Sequence, residues 1–179
     1  MTLNLITLAT VKTQLGIFET DYDVQITDMI PIVSADVRRI LNCKYNDVSQ
    51  AFYASGSTKI TLSSAEIPMG QVIEGENIPD DCYITAEDVD SDEYTLSALP
   101  VGSGDYITFG VNISQWPTIS KMIFYRINNM SILNVGQENV MSKSIGGASV
   151  SYGNSQINKR WNYPQLLIDD LGVPYSEVG

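Results

Sequence analysis

The feature that most constrains this chain is a double change of hydrophobic period. Over residues 26–41 the apolar positions Ile26, Met29, Ile30, Val33, Val37, Ile40 and Leu41 recur at steps of three and four. That spacing puts them on one face of a helix of about six turns, the natural place for a core. From residue 58 the period falls to two. Segments 58–62, 71–74, 82–85, 93–96 and 105–109 read as short strands, punctuated by Gly70, Gly75, Pro79-Asp80-Asp81, Pro100 and Gly102-Ser103-Gly104. After Gly110 the helical step returns in Trp116, Ile119, Ile123, Ile127 and Met130. No single element satisfies both periods, so the strand-patterned stretch is expected as an insertion between helical segments. The expected fold class is α+β: a small helical bundle formed by 1–57 and 111–179, with an extended C-terminal arm. A β-sandwich or β-barrel-like insert at 58–110 interrupts it.

Local signals refine this outline. Residues 10–15 suit a short helix closed by Gly16, where positive φ is favoured. Thr20 followed by Asp23 resembles a capping box opening the long helix. Pro31 should kink or split that helix near Met29 and Ile30. Loop-formers fill 42–57, with room for one helical turn at 48–53. Ser114 suits an N-cap, with Pro117 in the first turn behind it. From 131 to 153 glycines loosen the pattern: Gly146-Gly147 suits a turn, and 148–152 alternates as a strand. Residues 163–171 form a short apolar helix stopped by Gly172 and Pro174.

Charge divides the chain the same way. The formal net charge is −11. Residues 58–110 hold eleven acids and one base, a net of −10, while everything else nets −1. A nearly neutral scaffold therefore carries one strongly acidic module. Such a balance argues against a dedicated nucleic-acid binder, because neutralising phosphates takes clustered Lys and Arg.

Residue usage excludes much chemistry. There is no histidine, which removes Ser–His–Asp and Cys–His nucleophiles and the commonest zinc ligand. Cys43 and Cys82 form no CxxC pair and read as buried apolar residues of a reducing compartment. Asp88, Asp90 and Asp92 alternate like a calcium loop. The sixth and twelfth positions of such a loop are Glu93 and Leu99, not Gly and Glu, so a solvated acidic hairpin is the better reading. Asp80-Asp81 and Asp169-Asp170 are adjacent carboxylates that point to different faces, unlike a catalytic pair. No catalytic residue, metal ligand or cofactor site is therefore expected, and the chain reads as a non-enzyme. No apolar run approaches the length of a membrane span, and residues 1–10 lack a secretory pattern.

The C-terminal region is unusual in being apolar and aromatic. Trp161, Tyr163, Leu166, Leu167, Ile168, Leu171, Val173 and Tyr175 cluster where chains usually turn polar. They either dock back on their own unit or serve as anchors for a partner.

The order of these pieces resembles a known family. Val11-Lys12-Thr13-Gln14-Leu15-Gly16-Ile17, then Asp21-Tyr22-Asp23 and the stripe to Leu41, is similar to the opening of tailed-phage head–tail connector (adaptor, or head completion) proteins. The run from Met141 through Ser144-Ile145-Gly146 to Ser149-Val150-Ser151-Tyr152 is similar to that family's "SxxIGxxSxSY" stretch, followed by Tyr163-Pro164 and a short apolar helix. The resemblance covers 9–42 and 114–175. The insert departs from it, and its Gly70-Gln71-Val72-Ile73-Glu74-Gly75 to Ile78-Pro79 run resembles a β-module of phage structural proteins. The resemblance implies a homo-oligomeric ring, typically of twelve subunits, at the virion neck and assembled in the host cytoplasm. Its implied partners are the portal protein, reached by the C-terminal arm, and a stopper or tail-completion protein. DNA would pass through the lumen without specific binding. Other expectations are a different neck or tail-completion role, or a host-surface or carbohydrate-binding module in the insert.

Overall fold

The computed structural model describes residues 4–41, 48–62, 67–88, 91–132, 142–145, 148–151, 157–158 and 160–172. The chain divides into two compact units, Met1–Cys43 with Gln115–Gly179, and Lys44–Ser114. Four α-helices and ten strands are found among the described residues. The fold is mixed α+β and rich in strand, so the expected helical bundle core is corrected.

In the first unit, α1 (Leu8–Leu15) is bounded by its own sequence signals. The Thr7 hydroxyl accepts from Thr10 N–H at its start, and Ile6 and Val11 are buried at the positions of a hydrophobic staple. At its end Gly16 adopts φ 66°, and the N–H groups of Gly16 and Ile17 return to the carbonyls of Thr13 and Lys12. Helix α2 (Asp23–Leu41) runs unbroken through Pro31. Proline deprives only the Thr27 carbonyl of its ladder partner, and its ring lies on the exposed side, so the expected split does not occur. All seven residues of the α2 stripe are buried. Lys12 meets Asp23 at 2.6 Å, joining α1 to the start of α2. The segment before α1 also enters the core: Leu5 and Ile6 are buried, and Leu5 N–H donates to the buried Ser34 hydroxyl.

A 3-10 turn (Ile113–Gln115) leads into α3 (Trp116–Ile132), and Asn112 caps it by accepting from Ser114 N–H. Asn112, not Ser114, is thus the side-chain cap. Trp116, Ile119 and Ile123 are buried as expected, and Ile127 is half-buried. Thr118, Ser120, Met122, Phe124, Tyr125 and Asn128 are buried too. Helix α3 is therefore enclosed on nearly every side rather than along one stripe, because α1, α2 and the C-terminal helix all pack on it. Two small antiparallel ribbons complete the unit: β7 (Ser142–Ile145) with β8 (Ala148–Ser151), and β9 (Ile157–Asn158) with β10 (Tyr163–Pro164). Helix α4 (Gln165–Asp170) follows directly, shorter than the expected helix at its start because Tyr163 and Pro164 pair as strand. The expected turn at Gly146-Gly147 and the side chain of Met130 lie outside what is described.

The second unit is one antiparallel sheet of β1 (Val48–Tyr53), β2 (Lys59–Leu62), β3 (Gln71–Gly75), β4 (Ile84–Asp88), β5 (Glu93–Leu96) and β6 (Gly104–Asn112), in the order β3-β6-β1-β2-β5-β4. A sandwich of two sheets is not what forms. Irregular register between β1 and β6, β3 and β6, and β4 and β5 adds local twist. The sheet curls until β3 meets β4: Val72 bridges Tyr83, Ile73 N–H donates to Cys82 O, and Gly70 N–H to Ile84 O. These bonds tie the two edges together at 70–73 and 82–84, which leaves less open edge facing solvent. The unit is wider than the 58–110 read from periodicity. Residues 48–53 are a strand rather than a helical turn, since Ala51 and Tyr53 point inward and Gln50 and Phe52 outward.

Tyr53 shows how closely this interior is fitted. Its hydroxyl donates to the Glu76 carbonyl at 2.5 Å. A Cβ on Gly104 would lie 2.0 Å from that hydroxyl oxygen, and one on Gly75 would lie 2.9 Å from it. Both glycines are room for one ring. Buried Cys82 lines the same interior as a free thiol, while Cys43 lies outside the described residues.

Candidate partner-binding surfaces and the C-terminal lock

The C-terminal segment docks back on its own unit. Tyr163, Leu167 and Leu171 are buried, Trp161 and Ile168 are half-buried, and Leu166 is 46% exposed. Val173 and Tyr175 lie outside the described residues. Asn158 builds the bend that brings the segment round: its carbonyl accepts from Asn162 N–H, and its side-chain oxygen accepts from the N–H groups of Arg160 and Trp161. Asn162 takes φ 58°, a left-handed conformation that asparagine tolerates. Gln115 then donates to the Leu171 carbonyl at 2.7 Å, tying the end of the segment to the start of α3.

Tyr163 is the centre of this attachment. Its hydroxyl donates to Asp36 Oδ2 at 2.8 Å, Arg126 Nη2 donates to the same oxygen at 2.8 Å, and Arg126 Nε donates to the Tyr163 hydroxyl at 2.9 Å. The guanidinium carbon also lies 4.6 Å from the Tyr163 ring centroid. Three elements distant in sequence, α2, α3 and β10, are thereby held by one closed set of charge-assisted bonds. Burial pushes the Tyr163 phenol far above its ordinary range, with Arg126 pulling the other way. For Arg126, burial opposes the charge, but its bonds and charge interactions with Tyr163 and Asp36 raise the pKa on balance. In the sequence Asp36 and Arg126 are charged positions off the apolar stripes, 90 residues apart. Only the fold brings them together.

Other candidate features are positioned but not assembled. Glu93, at the end of the acidic run, pairs with Asp88 across the β4–β5 hairpin, and Asp92 adopts φ 52° in the turn. Asp80 and Asp81 sit in the β3–β4 turn, and Asp169 and Asp170 are exposed at the end of α4. Among the described residues no three His, Cys, Asp or Glu side chains form a group that could hold a metal. No described helix is long and apolar enough to cross a membrane.

What is prominent instead is exposed apolar surface. In the first unit Phe18 is 92% exposed in the α1–α2 connection, and Val24 is 72% exposed on α2. In the second unit Phe52 and Tyr106 are 51% and 58% exposed on the neighbouring strands β1 and β6. Single exposed apolar side chains are ordinary, but rings that gather on neighbouring strands are the kind of group that interface anchors use. No family model and no curated protein matches the chain.

Proposed function

We propose that this protein is a structural head–tail adaptor subunit of a tailed phage, forming a ring between the portal and the stopper or tail. The carrying observation is the grouping of the two stretches that resemble connector proteins. Separated by some 70 residues of insert, both belong to one compact unit. Supporting it is the element order of that unit: a short capped helix, a long helix, a third helix, the antiparallel pair β7–β8 and a short helix after Tyr163-Pro164. A role carried by surfaces also suits a chain without histidine. The acidic excess of the insert is compatible with a neck through which DNA moves, because like charge disfavours sticking of the duplex.

The portal-binding role attaches to the C-terminal region, with a correction of its extent. Tyr163, Leu167 and Leu171 are buried in their own unit, which leaves half-buried Trp161 and Ile168, exposed Leu166, and Val173 and Tyr175 as anchors. The test is mass photometry and negative-stain imaging of the chain with and without purified portal. A ring on the portal is expected. Failure to build any ring with portal present overturns the reading. Deleting residues 173–179 should abolish attachment while the circular dichroism spectrum stays native, and unchanged attachment removes the tail-anchor assignment.

A second reading concerns the insert. Exposed Phe52 and Tyr106, with Gln50 paired opposite Tyr106, offer ring faces beside hydrogen-bonding groups, the chemistry that takes the apolar face of a neutral sugar. Glycan-array binding that is lost in the Phe52→Ala, Tyr106→Ala double variant would support a carbohydrate-binding module. An array without signal for the unaltered chain would dismiss it.

A further inference from the structure

Helix α2 departs from a simple amphipathic pattern: the face opposite its buried stripe is also mostly apolar. Val24, Asp28, Pro31, Ile32, Ala35 and Arg39 fall within an arc of about 100° centred opposite Val33 and Val37. Val24 is 72% and Ile32 46% exposed; Asp28, Pro31 and Arg39 are exposed and Ala35 is half-buried. A solvated helix face is ordinarily rich in charged and polar residues. Here four of six positions are apolar or small, and the two charges are opposite in sign.

The spacing of those charges points to a partner. Asp28 and Arg39 are placed symmetrically about the midpoint between Ile32 and Ala35. A second α2 laid antiparallel across this face, about a two-fold axis at that midpoint, sets Asp28 against Arg39 twice and fits Ile32 beside the small Ala35 twice. A parallel partner in register would oppose Asp28 to Asp28 and Arg39 to Arg39, which costs energy. Self-complementarity about a point is what an isologous contact requires. We infer that the outward face of α2 is a self-recognition surface on which a second copy of this chain docks antiparallel. The contact requires nothing of the adaptor reading. A dimer without rings and rings without a dimer are separate results.

A single helix face makes a small contact, so the dimer belongs in the weak, concentration-dependent class. Sedimentation velocity over a micromolar concentration series should show reversible dimerisation. Asp28→Arg and Arg39→Asp should each weaken it on the order of tenfold or more, since each variant puts like charges opposite each other twice. Mixing the two variants should restore a heterodimer, and so should the Asp28→Arg, Arg39→Asp double variant as a homodimer. Ile32→Lys should abolish association in every background. Circular dichroism checks that the variants keep the native fold, and restoration on mixing requires it. A chain that stays monomeric throughout the series overturns the inference. So does a dimer indifferent to the charge reversals, which would place the contact elsewhere or leave the face to a different protein.

Discussion

The two units of this chain solve the same problem, closing a small core, by different means. The strand unit fits its interior by shape: Tyr53 lies over glycines, bulges curl the sheet, and the two edges meet through backbone bonds. The helical unit closes with side-chain chemistry: a buried tyrosine, an arginine and an aspartate fasten the C-terminal segment to α2 and α3. The two means fail differently. Shape fitting is intolerant of an added atom, whereas a charged network is intolerant of a missing partner. Surface charge follows the same division, with nearly all the net negative charge in the strand unit.

The largest expected effect breaks the shape-fitted side. Gly104→Ala places a Cβ 2.0 Å from the Tyr53 hydroxyl oxygen and 2.3 Å from its Cζ, so the buried ring must move and give up its bond to the Glu76 carbonyl. A loss of about 3 kcal/mol is expected in chemical denaturation. A loss below about 1 kcal/mol would mean that the ring has room after all.

On the charged side, Asp36→Asn should cost about 2 kcal/mol, because Arg126 then loses its counter-charge in a partly buried place. A double-mutant cycle with Arg126→Met should recover part of that loss. Purely additive losses would show that the pair does not couple.

Tyr163→Phe is gentler, at about 1–2 kcal/mol near neutral pH, since the ring stays buried and only the hydroxyl is lost. Its pH dependence is diagnostic. The folded-state pKa of Tyr163 is raised by burial, so its contribution is fully present below the unfolded value of about 10 and is lost as pH rises beyond it. Tyr53, Tyr94 and Tyr125 are shifted in the same direction, so the unaltered chain should lose stability steeply on the alkaline side. Tyr163→Phe should make that limb shallower, as measured by thermal melts across the alkaline range. An unchanged slope would exclude Tyr163 from the alkaline transition.

The smallest effect sharpens the charge contrast. Added salt screens the self-repulsion of the acidic unit and should stabilise it by about 0.5 kcal/mol, read by amide hydrogen exchange in β1–β6, with little change in the exchange of α1–α4. Equal responses would show that the clustered charge carries no penalty.

Legibility in the sequence followed the range of the interactions. The α2 stripe, the Gly16 cap and five of the six sheet strands could be read because period and turn chemistry act over a few residues. Strand β1 was missed, since its alternation is framed by Asn and Ser that mimic a loop, and only pairing with β2 and β6 makes it a strand. Pro31 does not break the helix as its local signal predicts: an exposed ring on a long, well-packed helix costs one backbone bond, less than the buried stripe holds. The C-terminal cluster was visible as apolar and aromatic, but which of its residues face inward was not.

By itself, then, the sequence determined the alternation of helical and strand-patterned segments, the separation of a nearly neutral part from an acidic one, and the removal of imidazole chemistry. These are properties of composition and local period, which need no partner to be expressed. Tertiary structure alone decided that the sheet curls onto its own edge and that Asp36, Arg126 and Tyr163 meet across as many as 127 positions of chain. It also decided which apolar residues of the C-terminal segment are spent on the core. Each depends on contacts between residues far apart in sequence, and no local pattern encodes which distant partner will be there.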